Sequence, residues 1–393
     1  MKYNFDKFID RTNTSSVKYD LRKLVFEKSD VIPMWVADMD FETPDFIRDA
    51  VIQRARHPIY GYTFRDPDYY RPIVAWMQSH HNWTIQKDEI IFSPGVVPAL
   101  NLAVLAFTQP GDKIIIQPPV YPPFYGAVRD HHRELVYNQL IQSGNTYLVD
   151  FELLEQQAKE AKMLILCNPH NPVGRCWNRT ELEKIAQICL KHHVLVVSDE
   201  IHADLVMPGH RHQVFADLSP EIAAITITAH APSKTFNLAG LATSSVIISN
   251  PDLRSAFSRV IEKMHLGMGN LFGSVASTAA YLNGEPWRLQ LIDYLCKNIG
   301  DVQTFLEERI PGLSMFRPEA TYMIWLDFRK FRLDDETLKN KLIHEAGLGF
   351  NPGTEFGPGG AGFMRMNVAC TRSTLTDSLD RLRKMLSELP VHH

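Results

Sequence analysis

Between residues 89 and 248, short apolar runs of strand length alternate with segments whose apolar residues recur at helical spacing. The runs are continuous stretches of Val, Ile and Leu, which is typical of strands buried on both faces. Strands that alternate with helices form a mainly parallel sheet covered on both sides. The pattern therefore predicts an α/β fold with seven strands, at residues 89–92, 113–117, 134–137, 163–167, 194–198, 223–228 and 245–248.

The length of 393 residues exceeds what one small core usually holds, so two domains are expected. A helical region follows residue 253, and the chain then changes to a smaller mixed unit. Its predicted parts are a strand at 322–328, a helix at 336–345, a glycine-rich loop at 351–362, a strand at 363–368 and a helix at 375–386. We expect residues 1–50 to form an N-terminal arm and part of the small domain, residues 51–287 the large domain, and residues 288–393 the C-terminal small domain.

The charge and the cysteine content argue against several classes of partner. The formal net charge is -4 and Lys and Arg form no cluster, so nucleic acid is not an expected partner. No apolar run is long enough to span a membrane, and the first 20 residues contain no secretory h-region. The five cysteines are scattered without Cys-x-x-Cys spacing. We therefore expect a cytoplasmic protein that contacts no membrane.

Lys234 lies in the segment Ala-His-Ala-Pro-Ser-Lys-Thr-Phe-Asn-Leu-Ala-Gly at residues 229–240, just after a predicted strand. Among small and apolar residues its amine would lose hydration, which lowers its pKa and makes it a nucleophile toward carbonyl groups. The chemistry that most often uses such a lysine is Schiff-base formation with pyridoxal 5'-phosphate (PLP). A surface lysine in a turn is the alternative that this segment alone leaves open.

Polar residues follow two of the predicted strands at their carboxyl ends, where parallel sheets bind ligands. Asp199 ends the run Val-Leu-Val-Val-Ser-Asp, and it could pair with the ring nitrogen of PLP or cap a helix. Asn171 lies in Asn-Pro-His-Asn-Pro-Val-Gly, a predicted loop whose amide could donate to the phenolate oxygen of the cofactor. A plain turn is the alternative. His202 could face the cofactor, whereas the histidines at 202, 210 and 212 lack the spacing of a metal site.

Backbone and hydroxyl groups suited to a phosphate lie between the first strand and the next helix. Gly95 and Val96 belong to Ser-Pro-Gly-Val-Val-Pro, whose free N–H groups at a helix N-terminus would form an anion site. Ser233 could add a hydroxyl donor. Tyr121, in Pro-Val-Tyr-Pro-Pro-Phe at the next strand exit, could stack on a flat heterocycle or could be a core tyrosine.

Charged residues within apolar segments point to a polar cleft. Arg365 lies in Phe-Met-Arg-Met-Asn-Val-Ala and must have a partner if it is buried. The carboxylate of an amino-acid substrate would serve, and so would an Asp or Glu of the protein itself. Residues 31–41 are apolar but contain Asp38 and Asp40, which are poor choices for a core strand. We predict that this segment is a loop laid across the cleft.

Taken together and in this order along the chain, these motifs resemble those of fold type I PLP enzymes of the aspartate aminotransferase superfamily. Within that superfamily the chain looks like the MalY/PatB group of carbon–sulfur β-lyases. The segments that carry the closer resemblance are Val-Ala-Asp-Met-Asp-Phe (36–41), Ser-Asp-Glu-Ile-His (198–202) and Pro-Ser-Lys-Thr-Phe-Asn (232–237). The resemblance implies that a large domain with a mainly parallel seven-stranded sheet between helices binds PLP, and that a smaller α+β domain accompanies it.

The resemblance also implies roles for the cofactor-binding residues. Lys234 would hold PLP, Asp199 would pair with the ring nitrogen, and Asn171 would pair with the phenolate oxygen. His202 stands where typical aminotransferases have a tyrosine. The phosphate would be bound by Gly95, Val96 and Ser233. Ala242 and Ala231 stand where many aminotransferases carry an arginine and a serine, which suggests that backbone and hydroxyl groups hold the phosphate more than charge does.

The substrate and the second subunit are assigned in the same way. Arg365 would bind the substrate carboxylate, with Ala37 and Asp38 nearby. Tyr60 would reach the phosphate from the partner subunit of an obligatory homodimer.

The expected reaction is β-elimination on a cysteine S-conjugate such as L-cystathionine. Lys234 would remove the Cα proton, and a thiolate would leave Cβ with Tyr121 or Lys234 as the acid, which yields pyruvate and ammonia. Two alternatives remain at this point. An aminotransferase shares every step up to the carbanion, and a regulatory role would instead require binding to a transcriptional activator, because the group includes a member that restrains one.

Overall fold

The computed structural model describes residues 2–392. Its strands are β1 Ile32–Pro33, β2 Ile90–Ser93, β3 Lys113–Ile116, β4 Glu134–Tyr137, β5 Ile141–Ser143, β6 Thr146–Leu148, β7 Ala161–Cys167, β8 Leu195–Asp199, β9 Thr226–His230, β10 Ser244–Ile247, β11 Ser314–Phe316, β12 Met323–Asp327, β13 Leu348–Gly349, β14 Asn351–Pro352 and β15 Phe363–Asn367. Its α-helices are α1 Val17–Asp20, α2 Arg22–Phe26, α3 Asp45–Ala55, α4 Pro67–His81, α5 Val96–Phe107, α6 Pro123–Arg129, α7 Phe151–Ala158, α8 Arg179–His192, α9 Pro220–Ala223, α10 Pro232–Thr235, α11 Pro251–Lys263, α12 Leu271–Asn283, α13 Glu285–Arg309, α14 Asp335–Lys341 and α15 Arg372–Leu386.

A seven-stranded sheet organises the first part of the chain, in the order β2-β10-β9-β8-β7-β3-β4. Strand β10 runs antiparallel to both of its neighbours, and the pairs from β9 to β4 are parallel. The predicted α/β fold with a mainly parallel seven-stranded sheet is therefore confirmed. The register pairs Cys167 with Asp199 and Asp199 with Ala229. The carboxyl ends of β7, β8 and β9 consequently lie side by side, and the residues that follow them share one edge.

Helices cover both faces of this sheet through two separate apolar layers. On one face, Leu100 of α5 and Phe257 of α11 pack with strand residues such as Ile116. On the other face, Leu154 of α7 and Leu182 of α8 pack with a second set of strand residues. Each such side chain contributes about 1.5–3 kcal/mol when it is fully buried. These two layers hold the strand ends in a fixed relation to one another.

The strand whose start differs most from the prediction is β9. The sequence predicts a strand at 223–228, whereas β9 is Thr226–His230. The difference arises because Pro220 stands at the first position of α9 and the hydroxyl of Ser219 accepts from Ile222 N, which caps a helical turn before the strand. The shift places His230 at the end of the strand.

A four-stranded antiparallel sheet, β11-β12-β15-β14, forms in the last third of the chain. The N-terminal arm joins this region, since β1 pairs in parallel with β13 through Ile32 and Leu348. One apolar cluster contains Phe5 of the arm, Trp287 of α13 and Tyr322. The domain boundaries after residues 50 and 287 stay a prediction. None of the helices formed by residues 2–392 is both long and apolar enough to cross a membrane.

Candidate active site

A cavity of about 190 Å³ lies at the carboxyl ends of β7, β8 and β9 and reaches the N-terminus of α5. Nine of the twelve residues that the sequence predicts for the site line it: Ala37, Gly95, Val96, Tyr121, Asn171, Asp199, His202, Ser233 and Lys234. The other three predicted residues are Asp38, Tyr60 and Arg365. The structure thus brings together most of the motifs, although they are spread over 198 residues of the sequence.

Lys234 projects from the short helix α10, which follows β9 directly. The side chain is half-buried, and it lines both the cavity and the cleft next to it. Its Nζ donates a hydrogen bond of 2.6 Å to the carbonyl oxygen of Ala37. Burial and the nearby Arg365 guanidinium lower the pKa of the amine, and Asp38 and Asp199 act in the opposite direction; the resulting pKa is about 8. The amine is therefore partly neutral near physiological pH, unlike that of a surface lysine.

Asp199 is the last residue of β8, and 4% of its surface is exposed. Its Oδ1 accepts from the backbone N–H of Ile201 at 3.1 Å, so it does cap the turn that follows the strand. The carboxylate also faces the cavity, and burial raises its pKa to about 7. A carboxylate in this setting is stabilised by any protonated group that enters the cavity.

Asn171 belongs to the predicted loop after β7, and the loop is confirmed. The N–H of Gly174 donates to the carbonyl of His170 at 2.8 Å, and the N–H of His170 donates to the carbonyl of Arg175 at 2.7 Å. Gly174 has φ +73° and lies so close to Pro318 that a Cβ would approach it to 2.7 Å. The Oδ1 of Asn171 accepts from Arg365 at 3.1 Å, so the amide nitrogen is the group left to donate toward the cavity.

His202 is 3% exposed, and its ring lies edge-on to that of Tyr322 with the centroids 6.2 Å apart. Burial, together with the positive charges of Lys234 and Arg365, lowers its pKa to about 3. The imidazole is therefore neutral. Within residues 2–392, its buried Nδ1 has no hydrogen-bond partner, which leaves it available to a group bound in the cavity.

The N-terminus of α5 contributes Gly95, Val96 and Val97 to the cavity lining. Gly95 is the N-cap residue, and no side chain caps the helix. Two residues that carry hydroxyls, Ser233 and Thr243, also line the cavity. Thr243 is not among the residues that the sequence predicts, although it directly precedes β10 and begins the hydroxyl-rich run Thr-Ser-Ser. This combination of a helix N-terminus and hydroxyls suits a phosphate.

Tyr121 lies at the exit of β3 and lines the cavity as a half-buried aromatic ring. Burial raises the pKa of its hydroxyl, which therefore stays protonated at neutral pH. Both predicted uses, stacking against a flat ring and donation of a proton, are compatible with this position.

Arg365 of β15 is 4% exposed, and its side chain is hydrogen-bonded to that of Asn171. Its Nη2 donates to the carbonyl of Trp35 at 2.8 Å and to Oδ1 of Asn351 at 2.7 Å. Among the described residues no carboxylate forms an ion pair with it, and its buried Nε has no hydrogen-bond partner. Burial lowers its pKa to about 10, so it remains charged. The alternative of a salt bridge to the protein's own Asp or Glu is therefore wrong. The guanidinium of Arg365 can still form an ion pair with the carboxylate of a ligand.

Asp38 lies in the segment 31–41 that the sequence predicts as a loop. Residues 34–41 form no helix or strand, but Ile32 and Pro33 form the short strand β1, so the prediction is wrong at the start of the segment. Its carboxylate accepts from Arg11 Nη1 at 3.0 Å and lies 3.8 Å from Lys18 Nζ. Asp40 accepts from Arg11 at 2.9 Å and from Lys18 at 2.9 Å. Both aspartates therefore bind the N-terminal arm rather than the cavity itself.

Tyr60 lies outside the cavity of its own chain. Its ring is 60% exposed and packs edge-on against Phe272 at 5.8 Å. Its hydroxyl donates to the carbonyl of Ala55. Its predicted role therefore depends on a second subunit and stays a prediction.

A larger cleft of about 1140 Å³ adjoins the cavity and shares Ala37, Lys234 and Ala239 with it. Its other walls come from the N-terminal arm, from α3 and from the loop after α10. Lys234 therefore lies where the cavity and the cleft meet.

Comparison with known proteins places this geometry in a family. Residues 29–382 match the family described as aminotransferase class I and II. The chain is 45% identical over 386 residues to the protein named cystathionine beta-lyase PatB of Bacillus subtilis (strain 168), which covers 98% of this chain and 100% of that protein.

Two solved structures have the same fold along nearly the whole chain. Cystalysin from Treponema denticola, whose structure contains pyridoxal 5'-phosphate, superposes with a TM-score of 0.96 at 39% identity, over 99% of this chain and 100% of that one. A PLP-bound C-S lyase from Staphylococcus hominis superposes with a TM-score of 0.92 at 34% identity, over 98% of each chain. The resemblance inferred from the motifs is confirmed, and the chain belongs to the aminotransferase class I and II family.

Proposed function

We propose that the protein is a PLP-dependent carbon–sulfur β-lyase that converts L-cystathionine or other cysteine S-conjugates to a thiol, pyruvate and ammonia. The observation that carries this proposal is the amine of Lys234, whose pKa is lowered to about 8, in one cavity with the buried carboxylate of Asp199. The similarity to proteins named cystathionine beta-lyase and C-S lyase supports the same reaction.

The groups that line the cavity fit PLP one by one. The amine of Lys234 matches the aldehyde, and the carboxylate of Asp199 matches the protonated ring nitrogen. The amide of Asn171 and the unpartnered Nδ1 of His202 supply polar atoms for the ring substituents. The N-terminus of α5 matches the phosphate. The cavity thus contains a partner for each polar group of the cofactor.

When bound, PLP supplies an electron sink that stabilises negative charge at Cα of an amino acid. The residues of the chain do the remaining work. Arg365 binds the substrate carboxylate, because its charge has no carboxylate partner of its own among the described residues. Lys234, partly neutral, takes the proton from Cα. Asp199 keeps a proton at the facing nitrogen of the ring, which keeps the ring electron-poor.

The leaving thiolate needs a proton donor near Cβ. The hydroxyl of Tyr121 stays protonated because burial raises its pKa, and it lines the same cavity as Lys234. Lys234 holds a proton after it has acted as the base, so it is the second candidate. The larger cleft provides room for the sulfur substituent of the substrate on the arm side of Lys234.

We also propose that the protein works as a homodimer in the cytoplasm. A run of exposed apolar side chains supports the dimer, since isolated chains rarely expose several in succession: Ile59, Tyr60, Tyr62 and Phe64 are 66%, 60%, 95% and 86% exposed. Tyr60 would then complete the phosphate site of the partner subunit. The five free cysteines are consistent with a reducing compartment.

Pyruvate release from L-cystathionine without any oxo-acid tests the proposal. The wild-type protein should release pyruvate continuously, and Lys234→Ala should release none. Lys191→Ala is the matched control, because Lys191 is an exposed lysine paired with Glu155. A reaction that stops after one equivalent and resumes on addition of an oxo-acid would identify an aminotransferase instead. No reaction under either condition would contradict both activities.

A further inference from the structure

Asp204 is a fully buried carboxylate that lies outside the cavity yet next to its catalytic segments. Its Oδ1 accepts from Trp76 Nε1 at 2.8 Å and from His81 Nε2 at 2.8 Å. Its Oδ2 accepts from the hydroxyl of Thr235 at 2.8 Å and lies 3.7 Å from His230 Nε2. Both oxygens are thus occupied by donors from separate parts of the chain.

The donors connect the two segments that carry the site. Asp204 lies five residues after Asp199, in the turn that follows β8, and Thr235 is the residue after Lys234. The hydrogen bond between Thr235 and Asp204 therefore links the lysine helix to the aspartate turn. Trp76 and His81 attach the same carboxylate to α4, which is 15 residues long. Helix α4 therefore holds Asp204 on one side, and Asp204 holds α10 on the other.

The charge of Asp204 strengthens this link. Burial alone would raise the pKa of the carboxyl, but the nearby His230 and the hydrogen bond from His81 hold it well below its ordinary range. An ionised acceptor forms hydrogen bonds about twice as strong as a neutral one. The hydroxyl of Thr235 is therefore bound to a charged oxygen in a site that excludes water.

The helix α10 needs such an anchor. It has only four residues, Pro232–Thr235, and a single helical turn is not stable on its own. Its N-cap residue, Ala231, makes no side-chain capping bond.

His81, Asp204 and His230 lie close enough together to hold a metal ion, but an ion there would displace the donors that already occupy both carboxylate oxygens.

We propose that Asp204 is a positioning residue that, through the hydroxyl of Thr235, holds α10 so that the amine of Lys234 stays directed at the aldehyde of PLP. The inference rests on the proposed function. In the covalent step the amine nitrogen of Lys234 forms a bond to the aldehyde carbon and one water leaves. Ser233 of α10 is one phosphate contact, but the N-terminus of α5, Asp199 and Asn171 belong to other segments. The anchor therefore affects bond formation far more than the reversible binding of the ring.

The experiment compares two probes on the full-length chain freed of cofactor: PLP, and pyridoxine 5'-phosphate, which has an alcohol in place of the aldehyde. Thr235→Val removes the hydroxyl and keeps the shape of the side chain. It should weaken PLP at least tenfold and leave the Kd of pyridoxine 5'-phosphate within twofold of wild type. Thr235→Ser should restore PLP binding to within threefold. Asp204→Asn should act in the same direction as Thr235→Val, and Thr235→Val carries the test alone if Asp204→Asn does not fold.

Thr226→Val is the matched control, because Thr226 is a buried threonine at the other end of β9 whose hydroxyl donates to the carbonyl of Ile222 at 2.6 Å. It should change neither Kd by more than twofold. The inference is wrong if Thr235→Val weakens both probes by the same factor or weakens neither. A wild-type protein that binds PLP no more tightly than pyridoxine 5'-phosphate would instead overturn the proposed function, so the two failures are distinguishable.

Discussion

Lys234 and Ala37 are 197 residues apart in the sequence, yet the amine of one donates a 2.6 Å hydrogen bond to the carbonyl oxygen of the other. The hydroxyl of Tyr322 donates to the same oxygen at 2.9 Å. Asn367 holds the adjacent backbone, since its Nδ2 donates to the carbonyls of Val36 and Asp38 at 2.7 Å each. A carbonyl accepts from an amine in either protonation state. This contact therefore orients Lys234 while the charges around it set its pKa.

The nucleophilicity of Lys234 should rise with a midpoint near pH 8 in the protein freed of cofactor. Only the neutral amine is a nucleophile, and its fraction increases as the pH rises through the pKa, which is about 8 here instead of the ordinary 10.5. Competitive acetylation at a series of pH values, with the product at Lys234 quantified by mass spectrometry, measures the midpoint. A midpoint above pH 10 would contradict the enclosed position of the amine.

The same measurement has a matched pair of variants. Arg365→Met removes a positive charge that lowers the pKa of Lys234, so the midpoint should move to higher pH. Arg179→Met removes an exposed arginine that pairs with Glu183, and it should leave the midpoint unchanged.

The ionisation of Asp199 should lower the free energy of unfolding as the pH rises from about 4 to about 7. Its pKa is raised from 3.8 to about 7 in the folded protein, so folding favours the protonated form. The stability that this group contributes is complete below pH 3.8 and is lost as the pH rises through about 7. Because each tenfold change in proton affinity is worth about 1.4 kcal/mol, the loss is at most about 4 kcal/mol.

Asp199→Asn removes this dependence, since the amide does not ionise. Without cofactor, the variant should be more stable than wild type at pH 8, and the two should converge near pH 4. Urea unfolding at pH 4, 6 and 8 gives the comparison, with Asp252→Asn, a first-turn residue of α11, as the control. A constant difference between Asp199→Asn and wild type across this range would disprove the assignment. The gain in stability should accompany loss of turnover.

Much of the sheet was predictable from the sequence because central strands such as β7 and β8 are buried on both faces and so read as unbroken apolar runs. The antiparallel direction of β10 was not predictable, since a buried strand is an apolar run whichever way it points. The late start of β9 depends on the cap formed by Ser219, and a local cap signal is easily outweighed by a neighbouring apolar run.

Residues of the cavity were predictable where they belong to motifs at strand ends, as Asp199, Asn171 and Lys234 do. Residues that act only through a tertiary contact were not. Thr235 and Asp204 lie 31 residues apart and form one hydrogen bond, and nothing in either local sequence indicates the pairing. Tyr60 illustrates a different limit, because its predicted role requires a second chain.

The stability of the protein should depend on the buried ion pair that Lys18 of the N-terminal arm forms with Asp40. Lys18 is 1% exposed, and its Nζ lies 2.9 Å from Asp40 Oδ2. Removal of one partner leaves a buried charge uncompensated, which typically costs about 3–5 kcal/mol. Asp40→Asn should therefore destabilise the protein by about 3 kcal/mol, at the lower end because Asp38 lies 3.8 Å from Lys18 and retains part of the attraction.

Glu160→Gln provides the comparison for that ion pair. Glu160 pairs with Lys113 at the surface, where the side chains are 69% and 34% exposed. Such pairs contribute about 0–1 kcal/mol, so the variant should unfold at nearly the wild-type urea concentration. Equal effects of the two substitutions would show that Lys18 finds another partner or water.

Arg365 should set the affinity for the substrate carboxylate. Its guanidinium is held by Asn171, Asn351 and the carbonyl of Trp35, all uncharged groups, so its positive charge is free to pair with a ligand. Loss of one partner of a buried charged pair costs about 2–5 kcal/mol, which corresponds to a decrease in kcat/KM of about 30-fold or more. Arg365→Met should therefore raise KM for L-cystathionine strongly. Rates are compared on the plateau of the pH profile, because the same substitution raises the pKa of Lys234.

Two comparisons separate carboxylate binding from general damage to the site. Arg329→Met removes an exposed arginine that pairs with Asp327, and it should change kcat/KM less than twofold. A cysteamine S-conjugate, which lacks the carboxylate, should be processed with similar kcat/KM by wild type and by Arg365→Met, since neither can form the ion pair with it. If Arg365→Met loses as much activity toward the cysteamine conjugate as toward L-cystathionine, Arg365 supports the cavity in another way and the carboxylate must bind elsewhere.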